Sequence, residues 1–135
     1  SLEKALEEES WTDSMYYIHS IFMMIKEQFK INEKAKAIHF YNKAQERLIL
    51  MENKIYEAKI SILYNLYYGK LKNNFKNCID HIEFLKQQYD LESVDELAYL
   101  AAKRFETIGA FEEAASFFNE KIWAEQKMNQ VEGIL

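Results

Sequence analysis

Between Ile108 and Phe118 the chain reads Ile108-Gly109-Ala110-Phe111-Glu112-Glu113-Ala114-Ala115-Ser116-Phe117-Phe118. Gly109 can adopt the left-handed backbone that ends a helix, and Phe111, Ala114, Ala115 and Phe118 recur at the spacing of one helical stripe. The stretch therefore predicts a helix, a turn of about two residues and a second helix. Small residues at the contact points let such a hairpin close tightly. Its other face stays open, so the rest of the chain must supply more helices to cover it.

The remaining sequence meets that demand. With no Pro and three Gly in 135 residues, the usual punctuators of helices are missing, and an all-α fold follows. Ser1 to Glu9 reads as a short helix on Leu2, Ala5 and Leu6. Ser10 with Asp13 caps a helix whose face is Met15, Ile18, Phe22, Ile25 and Phe29, ending at about Lys30 before a turn at Ile31-Asn32. A helix from about Glu33 to Met51 buries Ala37, Phe40, Tyr41, Ala44 and Leu48. After a break at Glu52-Asn53 the next runs through Ala58, Ile62 and Leu66 toward Leu71, and Asn73-Asn74 is the expected left-handed turn. Phe75 to Tyr89 returns with Cys78, Ile82 and Leu85 inward. Ser93 and Glu96 form a capping box for Val94 to Ile108, and the last helix runs from Phe111 to about Gln130, finishing near Gly133. Six main helices thus make three hairpins, at about 12–51, 54–90 and 93–130, in a single domain. A start at Ser1 rather than Met is read as the mark of a piece of a longer chain.

Laying the second helices of the hairpins over one another tests for a repeat. Ala37, Cys78 and Ala114 head equivalent segments, spaced 41 and then 36 positions apart, with an aromatic or branched residue four positions on. Gly-x-Phe followed by Ala resembles the turn and second helix of a tetratricopeptide repeat, whose period is about 34 residues. Ala98, Ala101, Ala102 and Phe105 fit its first helix. The departures are the absent closing Pro, Cys78 in place of Ala, and Lys121 where a third small residue is usual. An irregular helix bundle is the competing arrangement. The resemblance implies helical-hairpin repeats wound into a right-handed superhelix with a concave binding face.

Two joined segments are also similar to the C-terminal end of the peptide-regulated Rap phosphatases and their relatives, the cytoplasmic pheromone receptors of Gram-positive bacteria. One runs from Met15-Tyr16-Tyr17-Ile18 through Ala37-Ile38-His39-Phe40-Tyr41-Asn42-Lys43-Ala44 to Tyr67-Tyr68-Gly69. The other runs from Phe84-Leu85-Lys86 through Leu97-Ala98-Tyr99-Leu100-Ala101-Ala102-Lys103-Arg104-Phe105 to Ala124-Glu125-Gln126-Lys127. The likeness lies in hydrophobic pattern and repeat layout. It implies a quorum-sensing role: a groove for a short re-imported peptide, and control of a response regulator or of transcription through an N-terminal region that this chain lacks. The family's catalytic glutamine belongs to that region, so no residue here inherits it, and the chain is expected not to be an enzyme.

The residues themselves point the same way. Twenty-two acidic and seventeen basic residues, without a Lys/Arg block, do not make a phosphate-binding surface, so nucleic acid is not expected as a partner. No apolar run reaches the roughly eighteen residues of a membrane span. The lone Cys78 suits a reducing cytoplasm. His19, His39 and His81 have no metal-site spacing, and no nucleophile elbow, phosphate-binding glycine loop or dinucleotide fingerprint occurs, so neither metal nor cofactor is expected.

The cluster Tyr64-Asn65-Leu66-Tyr67-Tyr68 is the most informative polar-aromatic stretch, because consecutive helical positions cannot all be core. With Ile62 and Leu66 inward, Tyr64, Asn65 and Tyr68 face the concave side, where Asn can pair with a peptide backbone and Tyr adds rigid contact area. By the same geometry the first hairpin offers His19, Phe22 and Lys26, and the third offers Tyr99, Lys103 and Glu106. These nine are the candidate peptide-binding residues, suited to an extended peptide of some acidic character. The competing assignment is inter-repeat packing by the tyrosines. A further alternative is a structural or oligomerisation scaffold without a peptide ligand, with a homodimer as one form.

Overall fold

The computed structural model describes the backbone of residues 15–134 and the side chains of residues 17–130. Among the described residues six helices follow in order: α1 (Met15–Lys30), α2 (Lys34–Met51), α3 (Lys54–Tyr67), α4 (Phe75–Gln87), α5 (Leu91–Thr107) and α6 (Phe111–Ile134). A 3-10 turn, Leu71–Asn74, precedes α4. There is no strand among the described residues. The expected helix over Ser1 to Glu9 and the Ser10-Asp13 cap lie outside the described residues.

Each break between helices turns on one residue with positive φ: Asn32, Glu52, Gly69, Tyr89 and Gly109. Four of these breaks share one hydrogen-bond pattern. After α1, the Asn32 amide donates to the Phe29 carbonyl (3.1 Å) and the Glu33 amide to Gln28 (2.7 Å). The same pair of bonds recurs from Glu52 and Asn53, from Tyr89 and Asp90, and from Gly109 and Ala110. This is the Schellman motif, which satisfies the last carbonyls of a helix. The second residue of each pair then starts the next helix, because its carbonyl accepts from the amide four residues on: Ala37 to Glu33, Glu57 to Asn53, Val94 to Asp90 and Ala114 to Ala110.

That pattern corrects two sequence expectations. The helix after Tyr89 starts at Leu91 behind Asp90, so Ser93 lies inside α5, buried, and caps nothing. The left-handed residue after α3 is Gly69, and Asn73-Asn74 sits in the right-handed 3-10 turn, with Asn74 at φ −100. Glycine wins the position because it lacks the Cβ that makes this conformation costly. Leu71, expected to continue α3, is buried from the 3-10 turn instead. α6 ends at Ile134, close to Gly133 as expected.

The chain divides into two compact units, residues 1–67 and 68–135. In the first, α1 packs on both α2 and α3. Its core holds Ile18, Ile21, Ile25, Phe40, Leu48, Ile60 and Leu63, all fully buried. Phe29 stacks on Tyr67 with centroids 5.0 Å apart. Tyr41, expected inside, is only half-buried and stacks on Tyr64 at 4.4 Å.

In the second unit Phe75, Phe105 and Phe117 form a three-ring cluster with centroid separations of 5.3 to 5.8 Å. Such pairs add about 0.5–1.5 kcal/mol each beyond their buried area. The buried line of α6 is Ala110, Ala114, Phe117 and Ala124, while Phe111 is 68% exposed. Of the stripe read as Phe111, Ala114, Ala115 and Phe118, Ala114 is buried, while Ala115 is exposed and Phe118 half-buried. The large residue follows the small head by three positions, as at Ala37 and Phe40, both buried.

Polar clasps tie α6 to its neighbours. Lys86 of α4 reaches Glu120 at 2.8 Å and lies 4.6 Å over the Trp123 ring. Burial pulls the Lys86 ammonium down, and Glu120 and Glu83 more than offset it, holding it above the usual lysine range. Cys78, at the head of α4, is fully buried, and burial pushes its thiol up to about 12.

Two outcomes follow. Gly109→Ala is expected to cost about 1–2 kcal/mol, the left-handed penalty for a side chain, although the space around its Cβ is open. Glu52→Gly should shift urea unfolding the opposite way, and equal midpoints for both variants would refute the assignment of strain to these turns. Cys78 should resist Ellman's reagent at pH 8 in the native chain and react once the chain unfolds.

Candidate functional site

In the first unit, α1 and α3 meet along one polar-aromatic seam. His19, Phe22 and Lys26 come from α1 at three- and four-residue steps, which place them on one face. Tyr56 and Lys59 answer from α3. His19 is exposed, with Nδ1 3.0 Å from the Tyr56 hydroxyl. The Tyr56 ring stands edge-on to Phe22 at 6.2 Å. Above these rings lie two ammonium groups: Lys59 Nζ is 4.1 Å from the Tyr56 centroid and 4.8 Å from Phe22, and Lys26 Nζ is 5.6 Å from Phe22. Phe22 is 2% exposed and both lysines are below one tenth. Phe22 is thus the floor of the seam, and the electron-rich ring faces compensate part of the cost of desolvating the cations.

Tyr64 and Asn65 sit elsewhere on α3. The Tyr64 ring lies against Tyr41 of α2, whose hydroxyl accepts from Gln45 Nε2 at 2.7 Å. Burial raises the Tyr41 phenol pKa, the Gln45 bond works against that rise, and Tyr64 adds to it. Asn65 Nδ2 turns back to donate to the Ser61 carbonyl at 2.7 Å. The ring of Tyr64 is thus engaged in packing and the amide of Asn65 in its own helix.

The second unit holds the other four. Tyr68 is 45% exposed, and its carbonyl accepts from Asn74 Nδ2 at 3.3 Å. On α5, Asp95, Tyr99, Lys103 and Glu106 fall at helical steps along one exposed stripe. Lys103 donates to Glu106 at 3.0 Å, and that bond holds the Lys103 pKa up.

Tyr99 opens onto a cleft of about 310 Å³ lined by Asp95 and Glu96 of α5 and Lys121 of α6. Lys121 Nζ donates to Asp95 Oδ1 at 2.8 Å and to Glu125 Oε1, and lies 5.6 Å from the Tyr99 ring. Asp95 first, then Glu125, hold the Lys121 ammonium above the ordinary range. Phe118 backs Tyr99 edge-on at 6.4 Å. The cleft combines an exposed ring, carboxylates and one ammonium, which suits recognition of a charged side chain.

The structure thus brings His19, Phe22 and Lys26 together, keeps Tyr64 and Asn65 apart from them, and places Tyr99 beside groups that sequence reasoning passed over. Tyr56 and Lys59 have a signal, since with Leu63 they step by three and four along α3. Lys121 has one too, as the polar residue at a small-residue position. Asp95 and Glu96 carry none beyond their place one turn before Tyr99. Among the described residues no group of three or more His, Cys, Asp or Glu could hold a metal ion, and no helix is long and apolar enough to cross a membrane.

Comparison with known proteins places this architecture. No protein-family model matches the chain. The regulatory protein RapK of Bacillus subtilis (strain 168) is 82% identical over 135 residues, covering all of this chain and 36% of that protein. The regulatory protein RapG of the same organism is 37% identical over 134 residues, 98% of this chain and 37% of that protein. The chain spans little more than a third of the length of either relative. Over that span, at 82% and 37% identity to two Rap regulatory proteins, the chain belongs to the Rap family.

Proposed function

We propose that the chain is a peptide- or protein-binding module of a Rap-type regulatory protein, with its three hairpins working as one repeat domain. The observation that carries this is the α5 stripe, where Tyr99 stands 44% exposed over an open cleft of mixed charge. Rigid aromatic area beside charged groups is a common way to grip a short segment at low entropic cost. The seam at His19, Phe22, Lys26, Tyr56 and Lys59 offers the same chemistry on the first unit. RapK and RapG are both named regulatory proteins, which supports a regulatory rather than a catalytic role.

The finer reading is a cytoplasmic quorum-sensing receptor, of which this chain is the C-terminal, ligand-binding part. A short peptide would bias one arrangement of the helices, and a region outside this chain would pass that bias to a response regulator or a promoter. Buried, unpaired Cys78 is compatible with a reducing compartment. Of the nine candidate residues, Tyr99, Tyr68 and His19 are the most accessible aromatic groups, while Lys103 and Glu106 make a charged rim.

A second reading, an assembly scaffold, is favoured by one feature: Ile49 and Leu50 at the end of α2 are 64% and 74% exposed. The two readings separate in one experiment. Affinity selection of a random pentapeptide pool on the immobilised chain, followed by calorimetry, should yield binders that lose roughly tenfold or more with Tyr99→Ala. Absence of any binder, together with concentration-dependent association in sedimentation, would select the scaffold.

A further inference from the structure

The segment that forms α6 carries two apolar lines. One, Ala110, Ala114, Phe117 and Ala124, is buried within its own unit. The other, Phe111, Ala115, Phe118 and Ile122, recurs at steps of four, three and four residues, which keeps it on one helical face. That face points outward. Phe111 is 68% and Ile122 49% exposed, Ala115 is exposed, and half-buried Phe118 meets the Tyr99 ring edge-on at 6.4 Å. The exposed polar residues Glu112, Asn119 and Gln126 border it. The first hairpin shows what covers the same register. Four positions after the small head, Phe118 corresponds to Tyr41 of α2, whose ring is stacked on Tyr64 of the next helix, α3, at 4.4 Å. Ile38 and Gln45, which flank Tyr41, are half-buried there, whereas Ala115 and Ile122, which flank Phe118 at the same steps, are exposed. The α6 register therefore has the pattern of a helix-covered face without the covering helix.

We propose that the Phe111, Ala115, Phe118 and Ile122 face pairs with the same face of a second copy of this chain, the two α6 helices running antiparallel about a two-fold axis. The stripe is self-complementary in that register. Phe111 of one copy meets Ile122 of the other, and Ala115 meets Phe118, so a small side chain makes room for a large one in both halves of the contact. The same register sets Glu112 beside Asn119 of the second copy, and no like charges meet on that border. A fully exposed aromatic side chain presents about 200 Å², so the stripe offers roughly 300 Å² of apolar surface per copy, the size of the largest patch on an ordinary monomer. With the polar borders of both copies the buried total comes to about 1,000 Å², the lower end for a specific interface, which fits a weak, concentration-dependent dimer. The pairing does not rest on the peptide-binding reading, and none of its four residues is among the nine candidate peptide contacts.

Sedimentation equilibrium of the 135-residue chain from low micromolar to submillimolar concentration should show the mass rising from that of one chain toward that of two. Phe111→Glu and Ile122→Glu, each at an exposed position, should weaken this association about tenfold or more and leave the thermal midpoint at low concentration unchanged. Ala115→Cys should be joined to its copy by a short bismaleimide linker, while Gln88→Cys, exposed at the end of α4, should not; the native thiol of Cys78 is buried and stays silent. A chain that remains monomeric at every concentration, or association that both glutamate variants leave intact, would overturn the α6 face. Loss of association in those variants without a cross-link from Ala115→Cys would overturn the two-fold register. The pentapeptide selection reads a different set of residues, so its failure would count against the peptide-binding reading alone.

Discussion

The left-handed residue at each helix break is the constraint on which the remaining structure depends. A chain without proline has no other sharp way to stop a helix, and here it stops five times. The Schellman pair of hydrogen bonds at Asn32, Glu52, Tyr89 and Gly109 closes the last carbonyls of one helix, and the following residue opens the next. One residue thereby serves as the end of one helix and the start of another, which fixes the phase of the second helix against the first. Only two of the five left-handed residues are glycine. At Glu52 and Tyr89 the fold accepts a side chain in a conformation that costs about 1–2 kcal/mol, and tertiary packing must supply the difference.

That fixed phase explains how the small residues act. Ala37, Cys78 and Ala114 each come four residues or fewer into their helices, and all three are buried. At Ala37 and Ala114 the turn sets the small residue toward the preceding helix, and its lack of bulk lets the helix axes approach. A large buried side chain, Phe40, Ile82 or Phe117, then fills the space one turn further on. Seven positions after the heads come Ala44 and Leu85, again fully buried. Packing of this kind needs no long-range signal, since each helix is placed by its own turn and its neighbour.

How much of this was legible follows from which interactions are local. Helix spans around Phe22, Phe40 and Ile82 are readable because apolar residues repeat at helical steps. The break at Gly109 is readable because glycine is the usual residue there. Tyr89 is not readable, because nothing in a tyrosine announces a left-handed turn; the Ser93-Glu96 pair offered a stronger local signal for a start three residues too late. Register within α6 was misread for a related reason. Phe111 and Phe118 look like core by type, but Ala110 and Phe117 occupy the inner line, and only the turn geometry decides between the two phases. At the candidate site the single-helix sets His19, Phe22, Lys26 and Tyr99, Lys103 were visible. Tyr56, Lys59 and Lys121 carry a spacing of their own, but nothing in it says which helix they meet, because a contact between helices has no sequence spacing.

Lys121 links the packing to the candidate site. It occupies the seventh position after the head of α6, where α2 has Ala44 and α4 has Leu85. A small or apolar residue there is buried against a neighbouring helix; the Lys121 side chain instead extends its ammonium to the edge and finds Asp95 across on α5. The cleft beside Tyr99 exists because that closing position is polar. An exposed pair contributes at most about 1 kcal/mol, less than the 1.5–3 kcal/mol of a buried Leu or Val, so the substitution gives up stability at this one place in the array. A packing rule obeyed at Ala44 and Leu85 and broken at Lys121 marks the place where the surface, rather than the core, sets the choice of residue.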